Sequence, residues 1–524
     1  MSEFDYLKGL LAGGRIGRRE FLGRTAALGV SAALAASALG QAAQAATPKK
    51  GGVLRVGVDG AGAGDSLDPA TYTAVHMQLI GLQLYSTLTE LDLKAHVIPA
   101  LAESWEAKPG AKEWVLKLRK GVTFHNGKSL APADVVHSIN HHRGKDSKSG
   151  AKALVAPIAD IKATGPDEVT ITLDSGNADL PYLLADYHLC IGPEGTDFKD
   201  GVGTGAFSLV KVEPGVRGVT KRFANFWRSD RGFVDQVETI AINDPTARVS
   251  ALQSGSVDLI NRADPKTAKL LEKMANLTLY QASGAAHYCF PMRCDIAPFN
   301  NADLRLAMKY AINREEIVKK ILRGYGKVGN DVPVPSYDPF YAALPQRPYD
   351  PEKAKFHHKK SGYDGPIELS VSDGAFGGAV DTAQLFQGSA AKAGIKIDVK
   401  RVPADGYWDN VWLKAPFCAS YWSGRPTPDL MFSIAYKSDA AWNETYWKRP
   451  DFDKLLIEAR AELDNGKRKQ MYYDLQKMVY DDCGEIIPMF NNFLEASSKK
   501  VHGYAAAPTF EVMGLRGPEF AWLA

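Results

Sequence analysis

From Gly51 onward, strand-like and helix-like segments alternate, separated by short Gly/Pro punctuation. GGVLRVGV (Gly51–Val58) turns into an apolar, β-branched strand, and Thr73–Leu88 carries apolar residues at helical spacing. Pro132 opens another helix, since a proline's missing N–H costs nothing at a first helical position. Ile158–Ala163 and Val169–Leu173 are predicted as paired strands around Gly165-Pro166-Asp167, followed by strands at Ala206–Val212, Gly218–Arg222 and Val237–Ile242. A second such block begins near His287. Helices are expected at Leu304–Ala311, Arg314–Leu322, Ala379–Ala393, Gly406–Leu413, Phe452–Leu463 and Lys467–Tyr480. Strands are expected at Ile367–Val371 and Ile395–Lys400, with strand-like pieces at Ile486–Phe490 and Phe493–Ala496. This is mixed α/β organisation with no internal repeat and no heptads. At 524 residues the chain exceeds what one core serves, so at least two domains are expected, with a ligand cleft between facing cores.

The amino terminus reads as an address. Five basic side chains (Lys8, Arg15, Arg18, Arg19, Arg24) precede the mildly apolar stretch Thr25–Leu39 and a small-residue cleavage pattern ending at Ala45. The stretch is too short and too alanine-rich for a membrane span. Residues 1–45 are therefore expected to be an export signal peptide. Gly17-Arg18-Arg19-Glu20-Phe21-Leu22-Gly23 resembles the twin-arginine export motif, although Gly17 and Gly23 replace the commoner serine and lysine. No cysteine precedes Cys190 to carry a lipid, which points to an unanchored periplasmic protein. Removing this segment takes five of 63 basic and two of 60 acidic side chains, leaving 58 of each. A body of balanced charge is a poor candidate for nucleic-acid binding.

The motifs downstream carry a resemblance. Gly121-Val122-Thr123-Phe124-His125-Asn126-Gly127-Lys128 with Ala133-Asp134-Val135, then Gly203-Thr204-Gly205-Ala206-Phe207 and Asn225-Phe226-Trp227, form the first part. Arg248–Gly255 with Val257-Asp258, Phe299-Asn300, Asp303-Leu304-Arg305, Ala307-Met308 and Tyr310–Arg314 complete the set. In number, order and spacing they resemble the extracytoplasmic solute-binding proteins of the peptide, nickel and opine ABC transporter family, the dipeptide-binding-protein-like family 5. The resemblance implies an α/β, bilobal periplasmic-binding-protein-like fold (type II, large peptide-binding subclass) with an extra inserted domain. It divides the chain into a discontinuous first lobe (51–80, 203–286, 488–524), an inserted domain (81–202) and a second lobe (287–487). It also implies a small-molecule or short-peptide ligand, ABC permease subunits with a cytoplasmic ATPase as partners, a monomer, and no cofactor or catalytic activity. The Gly203/Gly205 pair suits a tight turn or unusual dihedrals; His125, Gly127 and Asp134 suit turn and helix-start roles, and Arg305, Asn313 and Arg314 helix organisation.

Tyr421-Trp422-Ser423-Gly424-Arg425-Pro426-Thr427-Pro428-Asp429 is the most informative stretch for function. Peptide-binding members of the family often place an aspartate just after W-x-G, where it receives the ligand's amino terminus. Here Arg425 stands there, and its planar donors suit a carboxylate instead. Two readings stay open: Arg425 grips an anionic solute such as an opine-like conjugate, or it pairs internally with Asp429 or another acid. Trp408, Tyr421 and Trp422 are expected to cover apolar parts of a solute, with Tyr72 approaching from the other lobe and Asp429 available as an acid. The alternative for the tryptophans is core filling.

Other functions are weaker. No G-x-S-x-G or H-E-x-x-H pattern supports hydrolysis. His137, His141 and His142 lack a clear further ligand, and His357-His358 sits beside lysines, so a metal or metal-chelate receptor is an alternative, as is a periplasmic peptide-binding chaperone. Five cysteines make no dense framework; Cys289 and Cys294 either bridge across their turn or are two buried thiols.

Overall fold

The computed structural model describes residues 48–403, 407–423, 425 and 427–524; the expected signal peptide lies outside them. The strands that carry the argument are β1 (Val53–Val58), β2 (Phe207–Glu213), β3 (Arg217–Arg222), β4 (Gln236–Ala241) and β5 (Leu259–Ile260). They continue with β6 (Leu277–Pro291), β7 (Gly326–Val328), β8 (Ser420–Trp422) and β9 (Glu485–Ser498). These nine form one sheet in the order β8-β6-β9-β5-β1-β4-β3-β2, with β7 paired to β9. The β1–β4 and β1–β5 pairs are parallel and the rest antiparallel. The helices used below are α1 (Val75–Leu84), α2 (Pro132–His141), α3 (Pro428–Ala435), α4 (Pro450–Ala461) and α5 (Asn465–Asp482).

Apolar side chains gather in separate bodies, as the chain length requires. Leu54, Val56, Ile80, Leu84, Phe207 and Val237 pack α1 on the sheet. A four-stranded antiparallel sheet (Ala102–Ala107, Glu113–Leu118, Glu168–Leu173, Ile158–Gly165) buries Leu116, Val169 and Ile171 against Val135 and Ile139 of α2. Phe290, Leu304, Met308, Ile367, Phe386 and Phe417 fill a further core around the parallel pair Ile367–Val371 and Ile397–Arg401, joined through the helix Ala379–Ala391. Met431, Phe432, Leu456, Tyr472 and Leu475 hold α3, α4 and α5 together.

The expected strand-like pieces at Ile486–Phe490 and Phe493–Ala496 are one 14-residue strand, β9, because its partner β6 is equally unbroken at 15 residues. The two pair over Leu277–Ser283 with Ser498–Asn492 and again over His287–Pro291 with Phe490–Glu485, and the register shifts between Ser283 and His287. Such an irregularity bends a ladder locally. Two strands therefore run from one set of cores into the other with their pairing loosened midway.

Three local expectations change. The Thr73–Leu88 helix is shorter, ending at Leu84, and all ten of its residues are buried instead of one face. Gly203 and Gly205 do not have positive φ. Their purpose is close approach: a Cβ on Gly205 would lie 2.3 Å from the Gln83 carbonyl oxygen, and the Gly205 amide donates to Leu84 O at 2.8 Å. Gly205 thus satisfies the last carbonyl of α1, and Gly203 passes close to the same group. His125 straps the segment, donating its amide to Gly203 O at 2.9 Å. Pro351–Ser361, ahead of the expected strand Ile367–Val371, is an additional helix started by Pro351 and capped by Asp350. Cys289 and Cys294 are free thiols, as are the other three cysteines.

Candidate functional site

Arg425 follows β8 and precedes α3, whose first turn is fixed by the Thr427 hydroxyl accepting from the Leu430 amide at 3.3 Å. Its guanidinium lies over the Trp422 ring, 5.5 Å from the centroid, a favourable cation–π geometry. With Ala285, Pro333, Pro335, Asp338, Thr427 and Met431 it lines a small pocket open to solvent. Ala285 belongs to the loosened middle of β6, so this pocket lies where the chain crosses between bodies. Burial lowers the Arg425 pKa from its ordinary value, and Tyr187 and Tyr421 are the neighbours that partly restore it. Tyr187 comes from the segment that also builds the four-stranded-sheet body; it lines a second pocket, of about 360 Å3, together with Glu90, Phe510 and Arg516.

The aromatic residues divide into two groups. Trp422 is only 5% exposed and donates its indole N–H to Glu444 at 2.6 Å. Trp412 donates to the other oxygen of the same carboxylate, and the Ser420 hydroxyl joins it there at 2.7 Å. Trp422 is thus a core residue whose ring forms the seat under Arg425. Trp408, Tyr421 and Trp442 keep 37%, 45% and 45% of their surface exposed. Trp408 stands edge-on to both Trp412 and Tyr421, at 5.8 and 5.5 Å between centroids, and Trp442 continues the row against Trp412. These three present large faces next to the arginine.

Two expected contacts lie elsewhere. Tyr72 is 1% exposed; its ring covers Gly81 of α1 and its hydroxyl donates to Leu67 O at 2.8 Å. It packs the first core because a glycine on α1 opens the space for its ring. Asp429, also buried, accepts from Arg460 Nε of α4 with both oxygens, at 2.9 and 3.0 Å. Desolvation nevertheless raises its carboxyl to about 6, partly offset by Arg460.

The second pocket backs onto a buried ionic group. Glu90 meets Arg231 at 2.8 Å and Arg516 and Arg228 at 3.4 Å, while Glu519 meets Arg231 at 2.8 Å and Arg516 at 2.9 Å. Burial opposes the Glu90 charge, but the three guanidiniums hold its carboxyl down at about 2. Asp230 also acts on Arg231, so the three arginines of this wall are matched by three acids.

Other motif residues serve the scaffold. Asp134 accepts the Ala131 and Glu194 amides at 2.8 and 2.7 Å, and Arg305 is bound to Phe299 O and Asp482. Arg314 grips Asp331 with one nitrogen, at 2.7 and 2.8 Å to its two oxygens. The histidines spend their nitrogens separately: His137 on Thr196 O, His141 on Asp68, His142 on Ser149 and His357 on Asp303. Trp442, Glu444 and Tyr187 went unnoticed in the sequence. Trp442-Asn443-Glu444 offered an acid beside a tryptophan, but nothing local ties it to Trp412 and Trp422, and nothing in the sequence around Tyr187 points to Arg425.

Known proteins agree with this architecture. Residues 96–444 match the bacterial extracellular solute-binding proteins, family 5 Middle. A glutathione-binding protein, GsiB of Pectobacterium atrosepticum, is 25% identical over 470 residues, covering 84% of this chain and 90% of the relative. Heme-binding protein A of Haemophilus influenzae is 27% identical over 482 residues, 81% of this chain and 85% of its own. The solved PBP AgaA of A. tumefaciens R10, in complex with agropinic acid, superposes with a TM-score of 0.73 at 23% identity, covering 90% of this chain and 99% of that one. The fold is the bilobal periplasmic-binding-protein-like α/β fold. Among the described residues no helix is long and apolar enough to cross a membrane. Matched by that family over residues 96–444, well over half of its length, the chain belongs to the family 5 extracellular solute-binding proteins of ABC importers.

Proposed function

We propose that this protein, exported by the twin-arginine route and released after Ala45, is the periplasmic binding component of an ABC importer for a carboxylated small solute. Peptides and opine-like amino-acid conjugates are the leading cargo classes. The single observation carrying the cargo class is Arg425, seated on Trp422 in a pocket at the crossing between bodies, where a family aspartate would favour an amino terminus. Trp408, Tyr421 and Trp442 supply apolar faces around it, while Tyr72 and Asp429 serve packing and pairing. The first lobe is taken as 51–80, 203–286 and 488–524, the inserted domain as 81–202 and the second lobe as 287–487. Closure of these lobes is a population shift driven by the solute's greater affinity for the closed state; delivery to the permease follows, with no covalent turnover.

Mass spectrometry of protein recovered from its source identifies the retained solute, and calorimetry with that solute and its amide or ester tests the arginine. The free acid is expected to bind at least tenfold more tightly than the neutral derivative, and Arg425→Ala to erase the difference. Equal affinity of Arg425→Ala and the wild type for the acid would remove the carboxylate reading.

A further inference from the structure

Behind Trp422 lies a second group of chemically potent side chains that solute binding leaves unexplained. Cys289 of β6, Glu485 of β9 and Glu444 are all buried, and their ligating atoms lie within 4.8 Å of one another. Among the described residues this is the one set of three or more such side chains so arranged. No lysine or arginine among the described residues stands within 4 Å of either carboxylate. Elsewhere buried acids are answered: Asp331 by Arg314 and Arg347, Glu90 by Arg231, and Glu495 by the Tyr504 hydroxyl and the Val512 amide. Glu90 and Asp179 also carry oxygens without a hydrogen-bond partner, but arginines stand against both. Glu485 differs because its Oε1 is buried with neither a hydrogen-bond partner nor an ion pair among the described residues, and the hydroxyl of neighbouring Tyr436 is likewise buried without a partner. An orphaned carboxylate oxygen in a dry interior is costly, and a cation is one of the few groups able to answer it.

We propose that Cys289, Glu444 and Glu485 form a binding site for one divalent cation of zinc type, tying β6, β9 and the 442–445 segment together beneath the aromatic row. The Cys289 Sγ to Glu444 Oε1 separation is 3.6 Å. Zinc bonds of about 2.3 Å to sulfur and 2.0–2.2 Å to oxygen, at a tetrahedral angle, set thiolate and carboxylate about 3.5 Å apart. Glu444 is held in orientation by Trp412, Ser420 and Trp422, as a ligating carboxylate normally is by its own hydrogen bonds. On binding, the Cys289 thiol and the buried Glu485 carboxyl each give up a proton to solvent, and the contact of Cys289 with Glu444 is replaced by a bond to the ion. One thiolate with two carboxylates favours zinc or cobalt over magnesium or calcium, which take oxygen ligands alone.

The test uses the full mature chain produced in cobalt-supplemented medium, with metal content by mass spectrometry and the thiolate-to-cobalt charge-transfer band by absorption. One cobalt per chain with that band is expected. Cys289→Ser should lose the band, and Glu485→Gln, which keeps the side-chain volume, should lower cobalt content at least tenfold while circular dichroism stays native. If wild-type protein, both as produced and after refolding with excess cobalt or zinc, carries no ion above background, the site does not exist. A band that persists in Cys289→Ser, or cobalt content unchanged in Glu485→Gln, overturns the assignment equally.

Discussion

Tyr72 donates its hydroxyl to a buried carbonyl, and its ring fills the space above Gly81. Tyr72→Phe is therefore expected to cost about 0.5–1.5 kcal/mol of stability, read by urea denaturation, and to leave solute affinity unchanged. A fall in affinity without loss of stability would put this residue back in the site. Glu495 makes a pH-dependent contribution. Burial pushes its carboxyl up to about 8, although the Tyr504 hydroxyl and Val512 amide both donate to it. The folded protein keeps this proton up to about pH 8, whereas the unfolded chain releases it near the ordinary 4.5. Stability from this group is full below pH 4.5, declines as pH rises from 4.5 to 8, and is flat above. Glu495→Gln is expected to remove that decline, measured as the difference between variant and wild-type denaturation across the window. The place of Arg425 directly after Trp422-Ser423-Gly424 was legible from sequence, because it involves adjacent residues only. The separate duties of Trp422 and Trp408 were not, because both are tryptophans in an aromatic-rich stretch and only Glu444, some twenty residues further on, tells them apart.

At the scale of elements, helix starts were the most readable feature, since proline and capping acids act within a turn. Pro132 opens its helix where the sequence reading placed it, while the expected starts at Phe452 and Lys467 fall two residues inside helices that begin at Pro450 and Asn465, the latter capped by Asp464 accepting from the Lys467 amide. Helix ends were less readable. Nothing in Thr73–Leu88 stops a helix at Leu84; the Gly203–Gly205 segment does, from over a hundred residues away, by approaching the last carbonyls. Gly205→Ala would force a methyl to within 2.3 Å of Gln83 O. It is expected to cost at least about 2 kcal/mol, seen as a lowered melting temperature, because the contact is backbone on backbone and neither side has a free rotamer. An unaffected melting temperature would mean that the two segments separate readily.

Over the whole molecule, the segment 177–179 meets α4 and α5. Ala178 N donates to Arg460 O at 2.8 Å, and Asp179 pairs with Arg468 at 2.6 Å, both side chains fully shielded from water. Asp429 and Asp338 lie close enough to raise the local negative potential, so Arg468 is the cation on which this contact depends. Arg468→Gln strands Asp179 when the bodies are together but not when they part, since breaking a buried pair costs about 3–5 kcal/mol only where the remaining charge stays dry. The ligand-free variant is expected to show a larger radius of gyration by small-angle scattering and at least tenfold weaker solute binding. Unchanged scattering and affinity would mean that this pair does not hold the bodies together. Alternating periodicity, turn residues and motif order were enough to establish from sequence the α/β class and the family, because those signals act between neighbours along the chain. The unbroken β6 and β9, the Glu444 anchor, the burial of Tyr72 and the meeting of Asp179 with Arg468 were decided only by tertiary structure. Each depends on groups far apart in the chain that share a dry interior, where a partner's presence or absence is worth several kcal/mol and leaves no local trace.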